Sequence, residues 1–343
     1  MLAGCGPQLG DTGWSAISGT ASSVYAGLAT GRFYALNADS GLARWEFPKE
    51  QKERLAGFYG AAALSENLVL VGASDPAGRA STIHALDAET GQERWTFKAG
   101  DTIVAGPTVS QGTVYVTSAD RHVYALDAAT GQLRWRFPTG NWVWSGVSVA
   151  GDRLFVGSMD HSVYCLRAAD GTQVWRFETE GAVPGTPTVG DGLVYAGDLN
   201  GVLYAIDAES GQEVWRFRAR GWVWGQPALA NGLVCIGSLD RQVYALDART
   251  GKERWTFATR GAVRAGPVFA DGTLYVACQD HYLYALDAAS GTQRWAFDAR
   301  EPILASPSLV EGTIYLATSR GKAFALDART GVQRWTFPAP PSK

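Results

Sequence analysis

Short apolar runs alternate with polar turns along most of the chain, and the alternation itself repeats. Within 181–217, "AVPGTPTV", "GLVYAG", "GVLYAIDA" and "QEVWRF" read as four strands. Turn signals separate them: "GDG" at 190–192, "LNG" at 199–201 and "AESG" at 208–211. No segment carries the three- and four-residue apolar spacing of a helix over about ten residues, which excludes a helical solenoid. The unit recurs. "VYALDAATGQLRW" (123–135) has seven further copies, ending at Trp45, Trp95, Trp175, Trp215, Trp255, Trp295 and Trp335 as this one ends at Trp135. Consecutive tryptophans are 40 residues apart six times, after a first interval of 50. The surplus falls in "KEQKERL" (49–55) and "DPAGRAS" (75–81), polar or Gly/Pro-containing stretches that lengthen loops and spare the core. Four short strands per repeat with a recurring Trp predict an all-β chain. The expected fold is an eight-bladed β-propeller of four-stranded antiparallel blades, in one domain over 13–338. Blade eight is expected to dock on blade one without exchanging a strand.

Each recurring residue has a local task. Asp127 and its equivalents bond back to the turn, Thr130 or Ser assists, and Gly131 takes the positive φ of a bulged turn. Each Trp buries about 200 Å², worth up to about 5 kcal/mol before entropy is subtracted. A ring wedged where one blade meets the next sets blade spacing. The repeated sentence is therefore an assembly device and carries no catalysis.

The A-x-D-x-x-x-G-x-x-x-W pattern resembles the tryptophan-docking repeat of quinoprotein-like propellers, the PQQ-like repeat, over nearly the whole chain. Quinoprotein dehydrogenases, BamB-type lipoproteins of outer-membrane protein assembly and kinase-attached sensors share that repeat, so it does not fix function. The chain most resembles the BamB type. That resemblance implies a non-enzymatic, monomeric protein-binding scaffold of the bacterial envelope, without a resident cofactor, whose partners are envelope proteins or an extended peptide. The alternative is a dehydrogenase or sensor binding pyrroloquinoline quinone. Such dehydrogenases resemble this chain only in frame: they carry a vicinal disulfide, Ca²⁺ ligands and a catalytic Asp. Here no two cysteines are adjacent, and the acidic residues mostly recur at turn positions of every blade.

Charge and composition narrow the classes further. Formal net charge is -3, from 30 basic and 33 acidic residues, with no basic block, so nucleic acid is not an expected partner. No run reaches the about 18 apolar residues of a membrane span. Cys165, Cys235 and Cys278 read as buried small side chains. Leu2-Ala3-Gly4-Cys5 resembles a lipobox, with Cys5 the lipidated residue, 1–12 a tether and 339–343 a tail. The charged and apolar signal segments expected before a lipobox are missing from the sequence as written. A full precursor would place the protein in the periplasm or envelope, lipid-anchored. His84, His122, His161 and His281 form no HxH or HExxH pair and point apart on different blades, so no metal site is expected.

Outside the repeat set stand Trp14, Trp142, Trp144, Trp222 and Trp224. "NWVWSG" (141–146) and "GWVWGQ" (221–226) occupy one place in blades three and five, leading into the innermost strand. Period-two alternation puts 142 and 144 on one side and 143 on the other. Trp144, Trp224, Arg264 and Tyr59 are then expected to ring the mouth of the central channel. Arg121, His161, Arg241, His281 and Arg320, at the second hairpins, lie on the same face. Two readings follow: the extra rings plug the channel and pad blade contacts, or they form an aromatic and Arg-rimmed binding face. The candidate face is Tyr59, Trp142, Trp144, Trp222, Trp224, Arg264, His161, His281 and Arg241.

Overall fold

The computed structural model describes residues 15–28, 31–50, 55–74 and 80–338. It contains eight antiparallel sheets in chain order, and no helix among the described residues. Blade five shows the plan: Thr188–Gly190, Leu193–Gly197, Val202–Asp207 and Glu213–Arg218, each strand bonded to the next. The innermost strand is shorter than the expected "AVPGTPTV". Pro184 and Pro187 have no amide to donate to a ladder, so pairing starts only at Thr188. Blade two departs from four strands, because Gly57–Phe58 also pairs with the long second strand Leu68–Ser74. Most of the two expected loop insertions, Trp14 and Cys5 lie outside the described residues.

The core is divided among the blade junctions. Eight apolar clusters each draw on two neighbouring blades. One of them joins Tyr315, Ala325 and Trp335 of blade eight to Ile17, Val24 and Ala26 of blade one. The repeat tryptophans cross these junctions. Trp95 Nε1 donates to Ala128 O of the next blade at 3.1 Å, and Trp335 Nε1 donates to Ala38 O at 2.7 Å. That last bond closes the ring. Blades one and eight each hold four consecutive strands, so closure is by side-chain docking without strand exchange.

The turn under each ring explains the rest of the repeat. Asp127 Oδ1 accepts from the amides of Ala129 (3.1 Å) and Thr130 (2.9 Å) and from the Thr130 hydroxyl (2.8 Å). Gly131 has φ +72°, and a Cβ there would lie 2.5 Å from Cε3 of Trp95. Glycine is required both for the backbone and for the approach of the neighbouring indole.

A second recurring device braces the opposite end of blades three to seven. Asp120 Oδ2 accepts from Gly100 N and Tyr124 Oη, both at 2.7 Å. Asp160, Asp240 and Asp280 hold the matching amide and tyrosine in their blades. These carboxylates stitch the second hairpin to the linker arriving from the preceding blade. In blade eight the same place is Arg320, and the Arg300 amide turns to Asp298 Oδ1 at 2.7 Å.

Candidate functional site

The linker from the outermost strand of one blade to the innermost strand of the next carries the candidate aromatics. Its backbone is pinned: Val143 N donates to Ser118 O (3.2 Å), and Met159 N donates to Trp142 O (2.8 Å). The pinning fixes the alternation. Val143 is fully buried between blades, as are Val183, Val223 and Val263 at the same place. The residue after it (Trp144, Pro184, Trp224 or Arg264) lines the channel. The tryptophan linkers lead into blades four (first strand Val147–Ala150) and six (Ala228–Ala230). The sequence reading had put them in blades three and five. They leave those blades, and the ring they form belongs to the next.

The four indoles make one array. Trp142 stacks on Trp144 with centroids 5.5 Å apart, Trp144 meets Trp224 at 6.0 Å, and Trp224 meets Trp222 at 6.4 Å. The Arg264 guanidinium lies over Trp224, 4.1 Å from the ring centroid. Burial lowers the Arg264 pKa. Within the array the exposures differ. Trp144 packs on Val104, Ala119 and Met159 and is 8% exposed, whereas Trp142 and Trp222 are 42% and 46% exposed. Exposure thus separates the inner rings from the outer ones. The inner rings pad the channel mouth, and the outer rings stand in solvent on top of them. Tyr59, at the matching place before the innermost strand of blade two, is buried.

Below the array the channel forms a cavity of about 470 Å³. Val104, Trp144, Pro184, Trp224, Arg264 and Leu304 surround its mouth. Deeper, the linkers touch one another, and a Cβ on Gly106 would sit 2.1 Å from Ala61 O. Among the described residues, the cavity lining contains no carboxylate. A Ca²⁺-linked quinone takes oxygen ligands of that kind, so this donor set does not fit one. Among the described residues no cluster of three His, Cys, Asp or Glu is placed to hold a metal. Cys165, Cys235 and Cys278 are buried and free, and desolvation pushes their thiols up to about 11, 12 and 11.

The second-hairpin candidates sit on tight turns of the same face. Arg121, His161, Arg241 and His281 have φ of +71°, +63°, +70° and +78°, and all four are exposed. Arg320 immediately precedes the turn glycine Gly321. The hairpins reach the aromatic linkers through backbone bonds: Trp142 O is held from Met159 N, two residues before His161, and Trp222 O from Leu239 N, two before Arg241. His84 is not part of this face. It packs against Phe47, ring centroids 5.1 Å apart and tilted, and bonds Glu93 through Nδ1 at 2.7 Å. Desolvation lowers its pKa, against the pull of Glu93. The sequence reading missed Pro184 and Leu304 as mouth residues and the linker arginines Arg220, Arg260 and Arg300. Their shared period of 40 was the available signal.

Solved structures similar to this chain include BamB from Moraxella catarrhalis, with 19% identity and a TM-score of 0.76 over 90% of this chain and 92% of that one. A computationally designed protein, Ika8, is similar at 17% identity and a TM-score of 0.79, over 90% of this chain and 94% of that one. At such identities the likeness is one of fold. No curated protein matches the sequence. The family model described as outer membrane protein assembly factor BamB matches residues 29–141, 141–221 and 199–342. Those segments take in nearly all of the propeller, and the chain belongs to the BamB family of outer membrane protein assembly factors.

Proposed function

We propose that the protein is a non-enzymatic scaffold of the bacterial cell envelope that assists outer-membrane protein assembly by holding partner segments on its tryptophan face. Cys5 is the lipid attachment point in this reading, residues 1–12 form the tether, and 13–338 form the working domain. The observation that carries the proposal is the pair of solvent-exposed indoles, Trp142 and Trp222, each stacked on an inner indole that the fold holds in place. Large exposed aromatics cost solubility, and rigid aromatic anchors dominate protein interfaces. A closed frame suits the task, because its linkers vary while the blade junctions hold them still.

The test is a photo-crosslinking residue at position 142, in cells expressing the full-length precursor, with position 132 on the opposite face as control. The expected result is a specific crosslink from 142 to a barrel-assembly protein or an unfolded barrel precursor. Trp142→Ala and Trp222→Ala should weaken that capture while costing only the lost stacking contact, about 0.5–1.5 kcal/mol. Trp144→Ala should cost about 3–5 kcal/mol, because it empties a packed site. Equal crosslinking from both faces would overturn the proposal. So would uptake of the free quinone by the purified chain with no protein captured.

A further inference from the structure

We infer that the occupant of the tryptophan face is an acidic, extended peptide segment carrying apolar or aromatic side chains. The inference rests on the reading of that face as protein-binding, and adds the chemistry of the partner. It comes from an asymmetry around the ring. The linkers leaving blades two and three reach this face with Gly100 and Gly140, and the one leaving blade four with Glu180. Glu180 is already paired with Arg216 and Arg218. The linkers leaving blades five, six and seven present Arg220, Arg260 and Arg300 at the equivalent place, all exposed. The second hairpins of blades six and eight add exposed Arg241 and Arg320.

Carboxylates beside these arginines already accept hydrogen bonds: Asp298, itself exposed, takes the Arg300 amide. Asp240 and Asp280 hold backbone amides and the hydroxyls of Tyr244 and Tyr284. Glu301 is buried against Thr318 and Lys322. Arginines outnumber carboxylates on this half of the face, which makes it cationic on a chain whose net charge is -3. The cationic half borders the aromatic array directly, since Arg220 is two residues from Trp222 and Arg264 lies on Trp224. Apolar anchors beside a one-signed field select a partner that offers rings or aliphatics together with carboxylates. Its shape follows from the array. The four indoles form one continuous row from Trp142 through Trp144 and Trp224 to Trp222, and an extended chain can lie along that row and touch both outer rings.

The experiment uses the full chain and short fluorescein-labelled peptides with Phe at alternate positions and Glu, Gln or Lys between them, followed by fluorescence anisotropy. The Glu peptide should bind about tenfold or more tightly than the Lys peptide at low salt, and the gap should narrow at high salt. Replacing Arg220, Arg241 and Arg260 by Gln should weaken the Glu peptide about two- to fivefold per arginine and leave the Gln peptide unchanged. Trp222→Ala should weaken all three. Equal affinity for the Glu and Lys peptides would overturn the inference. So would tighter binding of a poly-deoxythymidylate strand, which would make the face a nucleic-acid site. A crosslink from position 142 that survives the triple Gln replacement leaves the scaffold standing and removes its acidic partner. Acidic-peptide binding without any envelope crosslink does the reverse.

Discussion

Two glycines of blade three offer a controlled test of how the propeller is held together. Gly112 and Gly131 have nearly the same backbone, φ +71° and +72°. A Cβ on Gly112 meets nothing within 4 Å, whereas a Cβ on Gly131 would lie 2.5 Å from Cε3 and 2.7 Å from Cδ2 of Trp95. Gly112→Ala therefore isolates the backbone cost. The left-handed region costs an L-residue about 1–2 kcal/mol, and the lost freedom of the unfolded chain returns part of it. The net is about 1 kcal/mol. Gly131→Ala bears the same cost and also drives the indole back by about 1 Å to reach ordinary contact. Overpacking of that kind costs about 1–3 kcal/mol. The withdrawal also stretches the 3.1 Å bond from Trp95 Nε1 to Ala128 O, worth about 1 kcal/mol. The expected totals are about 1 kcal/mol for Gly112→Ala and about 3–5 kcal/mol for Gly131→Ala, read from urea midpoints by tryptophan fluorescence. In a Trp95→Ala background the second value should fall to the first, a coupling of about 2–4 kcal/mol. Equal shifts for the two glycines in the parent chain would refute the claim that the repeated turn exists to receive its neighbour's ring.

Acid should loosen the same turns. Asp87, Asp127, Asp247, Asp287 and Asp327 are each held by an arginine first and by a Thr or Ser hydroxyl next, which lowers them from 3.8 to about 2. Because the folded value lies below the unfolded one, their stabilisation is complete above about pH 4 and is lost as pH falls through about 2. The urea midpoint should drop steeply across that window, Asp127→Asn should make the drop shallower, and a flat profile would contradict the assignment. Ring closure has its own comparison. Trp335 Nε1 bonds Ala38 O at 2.7 Å, while Trp295 Nε1 has no acceptor among the described residues. Trp335→Phe should therefore destabilise by about 1 kcal/mol more than Trp295→Phe. Equal thermal shifts would mean that the closing hydrogen bond contributes nothing.

The blade plan was legible because every element of it is local and recurs. Asp127, Thr130 and Gly131 announce a turn by their own chemistry, and the period supplies eight copies. Two things escaped. The brace made by Asp120 and Tyr124 was written as a recurring Asp-x-x-x-Tyr, yet its acceptor function needs the Gly100 amide from the previous linker, which sequence spacing does not bring to mind. The depth of the candidate aromatics escaped as well. Alternation places Trp142 and Trp144 on one side of the chain, but it cannot tell that Met159 and Val104 cover one ring and leave the other in water. That difference arises from neighbouring linkers meeting at the axis, a tertiary effect with no local signature.

The repeat also works as an internal control on function. At the place of Val143 the chain writes Phe58, Ile103, Val183, Val223, Val263 and Ile303, all apolar and at most 1% exposed. One residue further on it writes Tyr59, Val104, Trp144, Pro184, Trp224, Arg264 and Leu304. Adjacent residues on one linker thus obey opposite rules. The first is fixed in character because a blade junction has one shape and tolerates little change in volume. The second faces the channel, where the frame asks for no particular side chain, so the variety there is not imposed by folding. The arginines at 220, 260 and 300 fit the same logic: Gly100 and Gly140 show that the brace needs only a backbone amide at that place. A cationic side chain there adds nothing to the hydrogen bond. What it adds is charge on one half of one face, next to exposed indoles.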